Sequence, residues 1–240
     1  MKQWTYGEVR TRVTNELDLQ NETMISPDEM VGFCNEAMTE AESEIHKISE
    51  DYFLKTAPVT LVTGTQLYSL PADIFANKIR AIIYQNGAIV YPLRRIRGET
   101  KFYDATVTDY FGAAQYYRYR YFIINTSSAV GYQIQIHPPA VENGQLLTIW
   151  YLRGVNLVPL VSTGSQAASD AVILDIPEFY TFILQYMKCK CLEKEGDLRL
   201  ETAVVALQHQ RQMMVDTLTQ MVPDDDDTVV PDQSFYWEHE

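Results

Sequence analysis

The sequence predicts an α+β protein. A four-helix bundle is built from an N-terminal and a C-terminal helix pair, an antiparallel β domain is inserted between them, and an extended C-terminal arm follows. Three observations carry this reading. Apolar residues recur at helical spacing near both ends, and the middle alternates with period two between turn dipeptides. The last 18 residues, PDDDDTVVPDQSFYWEHE, are too polar and acidic to form a core. The bundle is assigned to residues 1–50 and 175–222, the β domain to 51–155, a long connection to 156–174 and the arm to 223–240.

The first helix covers residues 4–17, where Val9, Val13 and Leu17 recur at four-residue spacing with Tyr6 near the start. A polar connection leads to Ser26-Pro27-Asp28-Glu29, which opens the second helix. Ser26 caps it, Pro27 needs no donor in the first turn, and Glu29 completes a capping box. Met30, Phe33, Cys34, Ala37, Met38, Ala41, Ile45 and Ile48 mark its apolar face, so it runs from Pro27 to about Ile48. Cys34 on that face reads as core packing rather than a reactive thiol.

The period then changes. Residues 51–54 and 58–63 are rich in β-branched and aromatic side chains, Gly64-Thr65 is a turn, and residues 66–70 alternate into Pro71. Residues 78–84 read as a strand with Ile79, Ala81 and Ile83 on one face. Asn86-Gly87 joins it to a partner strand over residues 89–96. Residues 98–104 form a short helix or turn. Residues 116–125 are an aromatic strand in which tyrosine and arginine alternate, and residues 132–137 set Ile134 and Ile136 against Gln133 and Gln135. Pro138-Pro139 ends that strand, and Asn143-Gly144 signals a second hairpin into residues 145–153. The middle therefore reads as one mostly antiparallel sheet.

The connection over residues 156–174 has a flexible serine-containing middle from Ser162 to Ser169. Asp175, Pro177 and Glu178 then open a third helix as cap, first-turn proline and capping-box glutamate, and Gly196 stops it. Phe179, Phe182, Ile183 and Tyr186 give that helix a bulky face. A fourth helix runs from about Leu198 to Met221 with a stripe of Val204, Leu207, Met214, Leu218 and Met221. Arg211 interrupts the stripe, laying its stem along it with its head in water.

Composition narrows the function classes. With 240 residues, 46% hydrophobic and 21% charged, the chain is globular. It has no apolar run of the ~18 residues needed to span a membrane and no secretory leader at its start, so the expected compartment is cytoplasmic and no membrane contact is expected. Its three cysteines make no disulfide framework and its four histidines are scattered, so no metal site is expected. G-x-S-x-G, H-E-x-x-H and glycine-rich phosphate loops are all missing. The expectation is a protein without enzymatic activity, catalytic residues or cofactor.

Charge is unevenly placed within the net −13. From Pro223 onward there are seven acidic residues and no Lys or Arg, while residues 51–155 hold ten basic against six acidic. Two candidate sites follow. The arm joins an acidic run, Asp224, Asp225, Asp226 and Asp227, to a terminal aromatic cluster, Phe235, Tyr236 and Trp237. Prolines and repelling aspartates keep such a segment extended, and aromatic anchors suit a groove or sheet edge on a partner; the competing readings are an arm folded back on its own domain and an end with no role. The second candidate is basic: Arg94, Arg95 and Arg97 with Arg118 and Arg120, next to tyrosines that can stack on bases. A sheet with one buried face also places tyrosines inward and arginines outward, so this pattern serves a fold as well as a ligand.

Six motifs in order resemble the head-to-tail adaptor proteins of tailed phages, especially short-tailed ones. They are the Ser26-Pro27-Asp28-Glu29 helix with its Phe33-Cys34-Asn35-Glu36-Ala37 step, the strand into Leu70-Pro71-Ala72-Asp73, Leu93-Arg94-Arg95-Ile96, Gln135-Ile136-His137-Pro138-Pro139, Trp150-Tyr151-Leu152-Arg153, and the closing pair carrying Pro177-Glu178 and Glu195-Gly196-Asp197. The resemblance covers most of the chain, roughly residues 4–221. The region before Tyr116 lacks an expected Gly-x-Pro, and the serine-containing connection is an addition. The resemblance implies a structural virion protein at the head-tail junction, made in the host cytoplasm. It implies a ring of twelve neighbouring copies beneath a portal protein, a downstream tail or nozzle protein as partner, and DNA passing through without sequence recognition. The competing reading is a nucleic-acid-binding module that uses the basic, tyrosine-rich β surface.

Overall fold

The computed structural model describes residues 2–19, 24–49, 51–95, 119–127, 131–137, 139–140 and 142–221. The chain is α+β and divides into two units, Met1–Ser49 with Leu157–Glu240, and Glu50–Asn156.

The helical unit starts with α1, Tyr6–Leu17. Thr5 caps it: its hydroxyl accepts the Glu8 N–H at 3.2 Å while the Glu8 carboxylate accepts the Thr5 N–H at 3.0 Å. This reciprocal box, worth about 1 kcal/mol, is a Thr-x-x-Glu signal that the apolar spacing alone did not reveal. The α2 helix, Pro27–Ile48, begins at Ser26 with the expected box. Its core face holds Met30, Cys34, Ala37, Met38, Ala41 and Ile45, joined by Val31 and by the buried polar pair Glu42 and His46.

The stretch expected to be flexible is folded. A 3₁₀ turn at Val161–Thr163 is followed by α3, Gln166–Asp170, capped by Ser165. Ser169 is fully buried and donates to the Pro159 carbonyl at 2.8 Å. Serines are used here as caps and internal donors, which composition does not distinguish from a linker.

The third long helix also begins later than expected. Pro177–Phe179 forms a 3₁₀ turn, and α4 runs Tyr180–Glu195 from an N-cap at Phe179 that has no side-chain cap. The tight turn places both Phe179 and Phe182 in the core. Gly196 (φ 67°) closes α4, and the Asp197 N–H bonds back to the Leu192 carbonyl at 3.1 Å. Ile183, Met187 and Cys191 are fully buried, because α1, α2 and α5 (Leu200–Met221) all pack on α4. On α5 only Ala203, Met214 and Leu218 are buried among its described side chains. Val204, expected in the stripe, is exposed.

Ion pairs stitch these helices. Lys188, Lys190 and Lys194 of α4 reach Glu16 of α1 and Glu36 and Glu29 of α2. Arg211 of α5 is exposed, as expected, and its head also pairs with Glu44, and with Glu40 at 3.5 Å, on α2. Lys194 and the Ser26 cap hold the Glu29 carboxyl down at about 2.

The β unit contains two four-stranded sheets where one was expected. The first has the order β1 (Leu54–Thr60), β8 (Leu146–Arg153), β3 (Ile74–Asn86), β4 (Ile89–Pro92). The second has β2 (Leu67–Ser69), β7 (Gly131–His137), β6 (Arg120–Ser127), β5 (Arg94–Arg95). The hairpin strand over 89–96 splits at buried Leu93: its N–H bonds to Ile82 of the first sheet at 2.7 Å, while Arg94–Arg95 cross to the second. That crossing makes β5–β6 a parallel pair. Asn143-Gly144 does turn the chain (Gly144 φ 82°), but β7 and β8 belong to different sheets, so it makes no hairpin.

On β3 Ile79 packs against the core as expected, but beyond it the inward residues are Ile82 and Tyr84, opposite in parity to the Ala81 and Ile83 expected. Register shifts on either side of Ile79, after left-handed Ala76 and Asn77, reverse the alternation. Side chains from both sheets meet in one core that includes Ile82, Tyr84, Ile134, Ile136, Leu147 and Ile149. Residues 98–104 lie outside the described residues.

Candidate functional site

The sequence candidates fall into two groups. Asp224, Asp225, Asp226, Asp227, Phe235, Tyr236, Trp237, Arg97 and Arg118 lie outside the described residues. Arg94, Arg95 and Arg120 are described, and the parallel pairing brings them together: Arg94 is in register with Arg120, and Arg95 with Tyr121. Cα atoms so paired stand about 5 Å apart. All three arginines are exposed at one edge of the second sheet.

The neighbouring tyrosines do not share that exposure. Tyr119 and Tyr121 are 5% and 6% exposed and belong to the core. The Tyr119 hydroxyl donates to Gln145 Oε1 at 3.1 Å, and its backbone N–H donates to the Tyr91 hydroxyl at 3.1 Å. These two rings are therefore unavailable to stack on bases, so among the described residues the arginines offer phosphate contact without aromatic support beside them.

The quoted motifs have structural partners that sequence reading missed. Asn35 acts as a two-pronged backbone mimic: its side chain donates to the Val158 carbonyl and accepts the Val158 N–H, both at 2.9 Å. Asp28 accepts the Ser162 N–H at 3.0 Å, and hydrogen bonds from Ser162 hold its carboxyl below the usual range. These bonds tie α2 to the segment after Asn156.

In the β unit Asp73, the last residue of Leu-Pro-Ala-Asp, accepts from Tyr151 at 2.8 Å and Lys55 at 2.7 Å. Burial opposes its charge, yet those two bonds keep the carboxyl low. Burial and the Asp73 bond raise Tyr151. This constellation joins β1, β8 and the start of β3. No periodicity flags Lys55 or Tyr151, since their pairing spans distant strands.

A further constellation lies at the start of the helical unit. Trp4 stacks on Tyr180 with ring centroids 4.1 Å apart. The Lys2 ammonium lies 3.6 Å and the Arg12 guanidinium 4.6 Å from the Trp4 ring centroid. Arg10 grips Asp170 of α3 bidentately at 3.0 and 2.9 Å, and Lys2 pairs with Glu8 at 3.2 Å. These side chains line an open concavity of about 530 Å³. Lys2 and Arg10 have carboxylate partners, and the Glu8 carboxyl is held low by the Thr5 N–H, by Lys2 and by the charge of Arg12, so three cations share two carboxylates here.

The other chemistry-bearing groups are sequestered. The three cysteines are free thiols; burial pushes Cys34 and Cys191 up to about 12. Among the described residues no cluster of His, Cys, Asp and Glu fits a metal ion, and no helix is long and apolar enough to cross a membrane.

Residues 4–233 match the family model described as SU10 adaptor protein. No curated protein matches the chain.

Proposed function

The chain belongs to the SU10 adaptor protein family, and from this we propose that it is a structural virion protein joining capsid to tail at the head-tail junction of a phage. The match from residue 4 to 233 carries this reading, because it covers both units and much of the C-terminal segment. In this proposal copies form a ring of twelve beneath the portal protein, a tail or nozzle protein follows, and genomic DNA passes through the ring.

The four long helices, α1, α2, α4 and α5, act as a bundle, and residues 223–240 act as an extended attachment arm. Interhelix ion pairs such as Lys194–Glu29 and Arg211–Glu44 suit a body that stays rigid under load. The protein acts by attachment and performs no catalysis. Aspartates 224–227 keep the arm extended and steer it, and Phe235, Tyr236 and Trp237 anchor it. Deleting residues 223–240 is expected to abolish capture by portal rings in a pull-down while leaving the melting temperature nearly unchanged. Retained capture overturns the arm assignment.

A second reading gains support from the Arg94–Arg120 pairing at a sheet edge. There the arginines contact DNA phosphates without reading sequence. Replacing Arg94, Arg95 and Arg120 with alanine then lowers the log–log salt slope of oligonucleotide binding by about 3, at roughly 0.9 per phosphate contact. An unchanged slope removes DNA from this edge.

A further inference from the structure

We propose that the concavity around Lys2, Trp4 and Arg12 receives the acidic run Asp224, Asp225, Asp226 and Asp227 of a second copy of this chain. The inference rests on the arm being an attachment segment, and it supplies a receptor for the arm's acidic half.

Charge is the first argument. The lining of the concavity carries three cations, Lys2, Arg10 and Arg12, against two carboxylates, Glu8 and Asp170, so one positive charge is in excess among the described residues. Four consecutive aspartates in a segment with no Lys or Arg are the strongest anionic run in the sequence. A carboxylate meeting Arg12 at the face of the stacked Trp4–Tyr180 pair gains a charge-assisted bond to a guanidinium already positioned over the Trp4 ring.

The path of the chain is the second. Glu29–Lys194 and Glu36–Lys190 show that α2 and α4 run antiparallel. Arg211 meets Glu40 and Glu44, toward the end of α2 that accompanies the start of α4. Ten residues remain in α5 beyond Arg211, about 15 Å of helix, so the chain leaves at the end of the unit where Tyr180 stacks on Trp4. Asp224 follows three residues after Met221.

The third argument is sidedness. The concavity belongs to α1 and α3, whereas α5 packs on α4 and α2. Exit and receptor thus lie on different faces of one body, the condition for a heterologous contact that repeats from copy to copy and closes into a ring. The exit face is prepared for a neighbour: α5 exposes Val205 at 67% and Met213 at 50%.

Disulfide trapping in the full-length chain tests this. Thr11 lines the concavity and is exposed, and the native thiols are buried. A Thr11→Cys, Asp225→Cys chain, oxidised on portal rings, is expected to give a ladder of covalently linked copies on non-reducing electrophoresis. A Thr60→Cys, Asp225→Cys control gives none. Adding Lys2→Glu and Arg12→Glu is expected to cut linkage roughly tenfold, and lysines at the remaining aspartates 224, 226 and 227 restore it.

Linkage only within single chains overturns the proposal, because the run then folds onto its own concavity. Linkage equal to the control also overturns it. If portal capture persists and no ladder forms, this inference fails and the attachment reading stands. If deletion of residues 223–240 leaves capture intact, the attachment reading itself fails.

Discussion

One substitution made at two glycines should change stability in opposite directions. A Cβ added at Gly7 of α1 lies 2.8 Å from Asp170 Cβ, 2.9 Å from Asp170 O and 3.2 Å from Asp170 Cα. Two of those three atoms are backbone, so no flexible side chain can swing clear. A Cβ added at Gly32 of α2 meets nothing within 4 Å. In both helices alanine improves helix propensity by up to about 1 kcal/mol. At Gly32 that gain is unopposed, and Gly32→Ala should stabilise by about 0.5–1 kcal/mol.

At Gly7 overpacking costs about 1–3 kcal/mol. Pushing α1 off α3 also stretches the bidentate Arg10–Asp170 pair, a partly buried contact worth up to about 1 kcal/mol. Gly7→Ala should therefore be destabilised by about 1–2 kcal/mol, and the two variants should differ by about 2–3 kcal/mol. Urea titrations followed by far-ultraviolet circular dichroism measure this, with unchanged slopes required for the comparison. If Gly7→Ala is as stable as Gly32→Ala, the close approach of α1 to α3 is wrong, and the concavity built on it loses its wall.

Further expectations concern the same contacts. Asn35→Ala removes two hydrogen bonds to Val158 and should cost about 1–3 kcal/mol; Asn35→Asp should restore little, since a carboxylate cannot donate to the Val158 carbonyl, and thermal melts of both check this. Because Glu29 is lowered in the folded chain, its contribution is present above the ordinary value of 4.5 and is lost as pH falls toward about 2. Wild type should melt above Glu29→Gln at pH 6, and the gap should close between pH 4.5 and pH 2. With all three thiols buried, a chromogenic disulfide reagent should label Cys34, Cys189 and Cys191 only after denaturation; fast labelling of native protein refutes their placement.

The family assignment changes how some sequence features are read. The Ser26-Pro27-Asp28-Glu29 motif does more than start a helix. Ser26 caps, Asp28 holds Ser162, and Glu29 both closes the box and pairs with Lys194. Arg94, Arg95 and Arg120 were candidates on composition, and the structure assembles them by a parallel strand pair that the hairpin signal did not suggest. The described tyrosines beside them are core residues, so a base-stacking surface there loses its aromatic half.

What the sequence determined by itself was local. The Ser26 box, the Gly196 stop and the inward faces of Ile134 and Ile136 follow from interactions within a few consecutive residues, which the chain carries wherever it folds. The tertiary structure decided everything that depends on a distant partner. It chose β7 for β2 and β6 for β5, reversed the face of β3 at a bulge, and folded the serine-containing connection onto Asn35 and Asp28. It also gave the exposed head of Arg211 its partners, Glu40 and Glu44. Strand partners and interhelix ion pairs are selected jointly by segments well separated in the chain, from 26 residues for Arg94 and Arg120 to 171 for Glu40 and Arg211. Local periodicity is blind to that choice.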